Sequence, residues 1–166
     1  MRIFLSLAAS VLSLTLSAQT VARMNDLKPE QKAAATNLKL TGQLSTSGNS
    51  DFRQLRDLCY QLRHVDLSLA DCENIPNNAF HSRPVLETIV LPTQVKSIGS
   101  QAFFACHSLR NITLPKSVTR VGDAAFSSCE NLKEITIEGN PMLGEFAFAR
   151  LKGLRTVRVN AAEPPV

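Results

Sequence analysis

Four phenylalanines recur at near-constant intervals: Phe80, Phe103, Phe126 and Phe148 are separated by 23, 23 and 22 residues. An alanine precedes each of them, at Ala79, Ala102, Ala125 and Ala147. Six residues after each Phe stands Leu86, Leu109, Leu132 or Leu154. Three further on come Ile89, Ile112, Ile135 and Val157, and two beyond those Leu91, Leu114, Ile137 and Val159. Gly99, Gly122 and Gly144 each lie four residues before a Phe. The unit is therefore Gly-x-x-Ala-Phe, a short turn, then Leu-x-x-Ile-x-Leu. Several columns held in step at one period are the signature of a stacked-repeat architecture.

The end of each unit alternates apolar and polar residues, the pattern of a strand with one face buried. Pro92 and Pro115 follow two of these strands and stop them, because proline donates no backbone hydrogen bond. The Ala-Phe portion carries the chain round the far side as a short turn or helix. One unit alone buries too few apolar side chains to offset the backbone entropy of its residues, about 1–2 kcal/mol each. Stacking adds coil-to-coil hydrogen bonds and a continuous core, with the Phe side chains in one internal ladder. The expected fold is an α/β solenoid: a parallel sheet on one side, short turns or helices on the other, and an N-terminal capping helix.

Two partial units lie upstream. Leu62 to Leu67 repeats the strand pattern, and Leu38-Lys39-Leu40 reads as an earlier strand. Between them, Asp51 to Leu62 reads as a helix containing Tyr60, with Ser50 or Asp51 as its cap and Phe52, Leu55, Leu58, Cys59 and Leu62 near one face. Pro29 to Ala35 suggests another short helix, and the polar stretch Thr41 to Asn49 a loop. At the N-terminus, Arg2 precedes an uncharged apolar run from Ile3 to Leu16, too short for a comfortable membrane span. It reads as a signal peptide cleaved after Ala18, or as late as Ala22, with an N-terminal anchor or a buried helix as the alternative. The expected division is residues 1–18 signal peptide, 19–62 N-terminal cap and 63–166 repeats. No second apolar run of about 18 residues follows, so no transmembrane span is expected in the mature chain.

The repeat resembles the BspA-like leucine-rich-repeat family, whose unit is close to Ile-Gly-x-x-Ala-Phe-x-x-Cys-x-x-Leu-x-x-Ile-x-Leu-Pro. Residues 98–115 match every position, with Ile98, Gly99, Ala102, Phe103, Cys106, Leu109, Ile112, Leu114 and Pro115. Residues 121–137 match with Val121, Gly122, Ala125, Phe126, Cys129, Leu132, Ile135 and Ile137. The chain departs from the pattern at Arg83 and Leu151, which replace the Cys, and at Glu138-Gly139-Asn140-Pro141, which replaces the Leu-Pro turn. The resemblance implies an exported bacterial protein, secreted or held at the cell surface. It also implies a protein partner, a host extracellular matrix component among the candidates.

Chemistry-bearing constellations are scarce. Cys59, Cys72, Cys106 and Cys129 form no CxxC pair, so neither a zinc site nor a redox motif is indicated. Cys106 and Cys129 occupy one column, where parallel stacking suits buried free thiols better than a disulfide. Cys59 and Cys72 are open to either state. His64, His81 and His107 lack metal-ligand spacing and read as solvated surface residues. With no nucleophile elbow, phosphate loop or dinucleotide fingerprint, no catalytic residue, metal or cofactor is expected, and the chain is not expected to be an enzyme. The net charge is +4 and the pI about 9.1. Lys and Arg are scattered along the chain, whereas nucleic-acid binders concentrate them, so nucleic acid is not an expected partner.

The candidate binding surface is the outward face of the strands: His64, Asp66, Thr88, Val90, Asn111, Thr113, Glu134, Thr136, Thr156 and Arg158. It carries neither Trp nor Tyr, which ranks glycan binding second to protein binding. The last strand, near Thr156 to Val159, is expected to have an open edge, a site for self-association or for pairing with another chain.

Overall fold

A computed structural model describes residues 20–46 and 50–160. The N-terminal 1–18 segment lies outside the described residues. Strand β1 (Thr20–Ala22) is followed by a 3-10 turn, helix α1 (Pro29–Ala34), strand β2 (Asn37–Gln43) and helix α2 (Asp51–Asp57). Strand β3 (His64–Asp71) then opens the regular coils. Two strands per coil alternate from there: β4 (Asn74–Ile75) and β5 (Thr88–Val90), β6 (Ser97–Ile98) and β7 (Asn111–Leu114), β8 (Arg120–Val121) and β9 (Glu134–Ile137), β10 (Met142–Leu143) and β11 (Thr156–Val159).

All pairing is parallel. The main face carries the order β1-β2-β3-β5 and then β7-β9-β11. The break between β5 and β7 is spanned by Arg110 N donating to Glu87 O at 3.1 Å. A second ladder, β4-β6-β8-β10, runs down another side. The repeat pattern predicts one sheet only. The second ladder arises because residues such as Ser97-Ile98 and Arg120-Val121 stack in register despite being only two residues long.

The far side is built of turns, where turns or short helices are expected. Each Phe is flanked two residues before and two after by a non-glycine residue with positive φ. These are Asn78 and Ser82 around Phe80, Gln101 and Ala105 around Phe103, Ala124 and Ser128 around Phe126, and Phe146 and Arg150 around Phe148. Left-handed backbone costs such residues energy. The geometry lets amides bond to the next coil instead of within a helix: Phe80 N donates to Ala102 O at 2.7 Å, and Phe103 N and Phe126 N donate to Ala125 O and Ala147 O at 2.8 Å. The coils lie so close that a Cβ at Gly122 would sit 2.5 Å from Ser100 N, so only glycine fits there.

Inside, the rings of Phe80, Phe103, Phe126 and Phe148 stack with centroids 5.0–5.3 Å apart and planes within 8°. Ile89, Ile112 and Ile135, Leu86, Leu109 and Leu132, and the Cys column fill the rest of one continuous core.

Helix α2 closes the N-terminal end. Ser50 Oγ caps it by accepting from Arg53 N at 3.2 Å. Phe52 meets Phe80 edge-on at 6.1 Å and terminates the ring stack. The helix stops at Asp57, earlier than its apolar pattern suggests, and Leu58 to Leu62 turn the chain into β3, leaving Tyr60 exposed in the turn. Arg83 accounts for this. It stands where the neighbouring coils carry Cys, is buried, and sends its guanidinium back to the carbonyls of Arg56 and Cys59. The Arg56 carbonyl is a helix-end acceptor that needs a donor, and the Cys59 carbonyl, in the turn that follows, also accepts from Leu62 N. The stretch from Thr41, expected to be a loop, is strand as far as Gln43, because β2 bulges and re-pairs with Leu69, Ala70 and Asp71. Cleavage as late as Ala22 would remove β1, which pairs with β2.

Candidate functional site

The strand register sorts the outward side chains of the main face into two rows. Asn37, His64 and Thr88 form the start of one, and Asn111, Glu134 and Thr156 continue it. Lys39, Asp66 and Val90 begin the other, and Thr113, Thr136 and Arg158 complete it. Val90, Asn111, Thr113 and Arg158 are exposed, while His64, Asp66, Thr88, Glu134, Thr136 and Thr156 are half-buried. Residues more than ninety positions apart in sequence thus share one surface. Asn37 and Lys39 extend it and go unnoticed in the sequence, because the unit containing β2 lacks the Phe and Gly columns.

Most charges on this face are already satisfied. Lys39 Nζ lies 2.8 Å from Asp66 Oδ2 and 3.2 Å from Ser68 Oγ. Burial works to raise the Asp66 pKa, but the hydrogen bonds from Lys39 and Ser68 outweigh it and hold the carboxyl below the usual range. Arg158 Nε donates to Glu134 Oε1 at 2.7 Å, so the two charged residues of the C-terminal half neutralise one another. His64 Nδ1 and Thr88 Oγ1 are 2.9 Å apart. The face offers neutral hydrogen-bonding groups between fixed ion pairs.

One column along, at the rim where the strands begin, five residues stack directly: Arg63, Glu87, Arg110, Lys133 and Arg155. Their backbones are hydrogen-bonded in sequence, Glu87 N to Arg63 O, Arg110 N to Glu87 O, Lys133 N to Arg110 O and Arg155 N to Lys133 O, at 2.7–3.1 Å. Glu87 accepts from Arg63 Nη1 and pairs with Arg110 Nη2, both at 2.7 Å. The Arg63 hydrogen bond and both positive charges hold its carboxyl below the usual glutamate range. Cations that look scattered in the sequence are thus collected into a stripe. The signal was the residue immediately after each repeat Leu.

The thiols point inward. All four cysteines are free and buried. Cys106 Sγ and Cys129 Sγ donate to Phe80 O and Phe103 O at 3.0 and 3.1 Å, and Cys72 Sγ to Asn74 O at 3.0 Å. Burial pushes Cys59 and Cys72 up to about 11 and Cys129 up to about 12, and raises Cys106 as well, where its neighbour Cys129 adds to the effect. Thiols so held are poor nucleophiles. His81 stacks on Phe104 at 5.1 Å and is half-buried, whereas His107 is exposed. Among the described residues, no three His, Cys, Asp or Glu side chains converge as a metal site, and no helix is long and apolar enough to cross a membrane.

A family model described as BspA type leucine rich repeat region matches residues 73–162 in six copies. The chain belongs to the BspA-type leucine-rich-repeat family. This BspA-type chain shares its fold with the T. pallidum leucine rich repeat protein TpLRR, at TM-score 0.61 and 22% identity over 87% of this chain and 64% of that one. It is also similar to a leucine-rich repeat protein from Bacteroides ovatus, at TM-score 0.53 and 26% identity over 73% of this chain and 34% of that one. The BspA-type chain therefore spans less than two thirds of the length of either. A comparison with curated proteins finds no match. Repeat families of this type generally build protein-binding modules, and a solenoid's extended sheet suits that use.

Proposed function

We propose that this BspA-type chain is an exported, non-catalytic binding module that docks a protein partner along its strand face. The observation that carries this reading is the pair of side-chain rows spanning β2, β3, β5, β7, β9 and β11. An extended polar surface on a rigid stack recognises a partner through many modest contacts without large reorganisation. His64, Asp66, Thr88, Val90, Asn111, Thr113, Glu134, Thr136, Thr156 and Arg158 are the contact candidates. The apolar N-terminal run supports export, and a host extracellular matrix protein is the partner class to try first. The test is surface binding of the chain to a panel of immobilised matrix proteins. The triple variant N111A/E134A/R158A removes the Glu134–Arg158 pair as a unit, so it leaves no lone charge. It should weaken binding at least about tenfold with the melting temperature unchanged. Undiminished binding by the triple variant would count against the face.

A second reading rests on the C-terminal end. There Met142, Leu143, Phe146, Val157 and Val159 are exposed, and among the described residues no strand pairs with the outer edge of β11. Such an edge favours assembly with another chain. A strictly monomeric chain at high concentration in sedimentation would count against it. Glycan binding ranks below both, since the exposed rings of Tyr60 and Phe146 lie off the strand face.

A further inference from the structure

The rim column holds one carboxylate, Glu87, between Arg63 and Arg110, and continues beyond Arg110 with the exposed cations Lys133 and Arg155. We infer that Arg110, Lys133 and Arg155 form a docking stripe for an acidic segment of the protein partner, two carboxylates within an extended tripeptide. This rests on the strand face being the binding surface and specifies which part of a partner it takes. Glu87 shows how the column holds a carboxylate: its two oxygens are taken by cations one coil before and one coil after, each at 2.7 Å. Beyond Arg110 the column continues with Lys133 and Arg155, both exposed, and with no acidic residue between them. The column as a whole sets four cations against one carboxylate.

Like charges directly opposite one another across paired strands repel. Neutralisation by an incoming anion relieves that repulsion. A recess of about 340 Å³ lies between Arg110 and Lys133, with the neutral hydrogen-bonding groups of Ser108 and Asn131 beside the two cations and Glu87, already held by Arg63 and Arg110, at its edge. Neighbouring coils are about 4.8 Å apart, so the three cations span about 10 Å. An extended peptide places side chains i and i+2 on one side about 6.7 Å apart. The two gaps between the three cations are about 4.8 Å apart, and the long flexible Lys, Arg and Glu side chains take up the roughly 2 Å difference from the peptide spacing. The Glu134–Arg158 and Lys39–Asp66 pairs leave the rest of the face electrically balanced, which confines the attraction to the rim.

The test is calorimetric titration of the full chain with an unlabelled nonapeptide carrying glutamate at alternating positions, against its glutamine counterpart. Saturable binding of the glutamate peptide only, weakened about fivefold or more by raising salt from about 50 to about 300 mM, is expected. Lys133→Glu should weaken binding about tenfold or more. The same variant recreates the Glu87 arrangement between Arg110 and Arg155, so its melting temperature should hold or rise, which separates lost binding from lost folding. Equal binding of both peptides, no binding, unchanged affinity in Lys133→Glu, or preference for heparin or single-stranded DNA over the peptide would each overturn the stripe. With an intact partner in hand, loss of binding in N111A/E134A/R158A but not in Lys133→Glu overturns the stripe alone. Indifference to both sets of changes overturns the face with it.

Discussion

The two ends of the solenoid hold equivalent residues in opposite environments. At the N-terminal end, Phe52 covers the first ring of the stack, Arg83 fastens α2 by its carbonyls, and Met24 and Leu27 close the core beneath. At the other end the same columns run out. Val157 is 54% exposed where Ile135, its partner one coil earlier, is 2%. Val159 and Leu143 are exposed where Ile137 and Val121 are buried. What buries a residue in this fold is the next coil, more than its own identity. Among the described residues α2 supplies that cover at one end, and no coil supplies it beyond β11.

The contrast can be broken most forcefully in the middle of the stack. Phe103→Ala leaves a void between two rings and should cost about 3–5 kcal/mol in denaturant unfolding. Phe148→Ala, at the open end and only half-buried, should cost less than half as much. Equal costs would mean that the ends are not different. Next in size is Arg83→Ala, which takes the guanidinium from the Arg56 carbonyl and leaves the Cys59 carbonyl only its bond from Leu62 N. It should cost about 1–3 kcal/mol, with faster hydrogen exchange confined to α2 and the turn after it. Exchange rising equally near β11 would argue that Arg83 does not act on the cap.

The buried thiols sharpen the same picture through pH. Their pKa values are raised on folding, so the folded state holds these protons more tightly than the unfolded one. The stability this contributes is complete below the unfolded thiol pKa of about 8.5 and is lost as pH climbs through the folded values, which reach about 12 at Cys129. Unfolding free energy should therefore fall between about pH 9 and 12, and less steeply in C106A/C129A. An identical slope in that variant would place those thiols in water. The smallest effect is expected at Phe146→Lys. It should change stability by no more than about 0.5 kcal/mol, because Phe146 is 73% exposed, yet suppress any self-association through that end.

The fold was legible wherever a residue type recurs once per coil. The Phe, Leu, Ile and Gly columns report a buried position that each coil must fill in the same way. The two-residue strands β4, β6, β8 and β10 were not legible as strands, because the column Ile75, Ile98, Val121 and Leu143 recurs with the repeat but two residues are too short to show alternation. Nor were the left-handed residues, since Asn78, Gln101, Ala124 and Phe146 share a backbone conformation and no side chain. The early end of α2 depends on Arg83, a contact across more than twenty residues that helical periodicity does not encode. The outward rows of the face followed from alternation alone. The rim stripe is written in the column after each repeat Leu, but charge counted along the chain looks evenly spread and hides it.

Residue-resolved hydrogen exchange on the intact chain tests the coil-by-coil stack most directly. The amides of Phe80, Phe103 and Phe126, which lie in turns yet bond to the following coil, should exchange as slowly as the core strands β3, β7 and β9, with protection falling away toward β11. Rapid, loop-like exchange at Phe103 and Phe126 would contradict the stack.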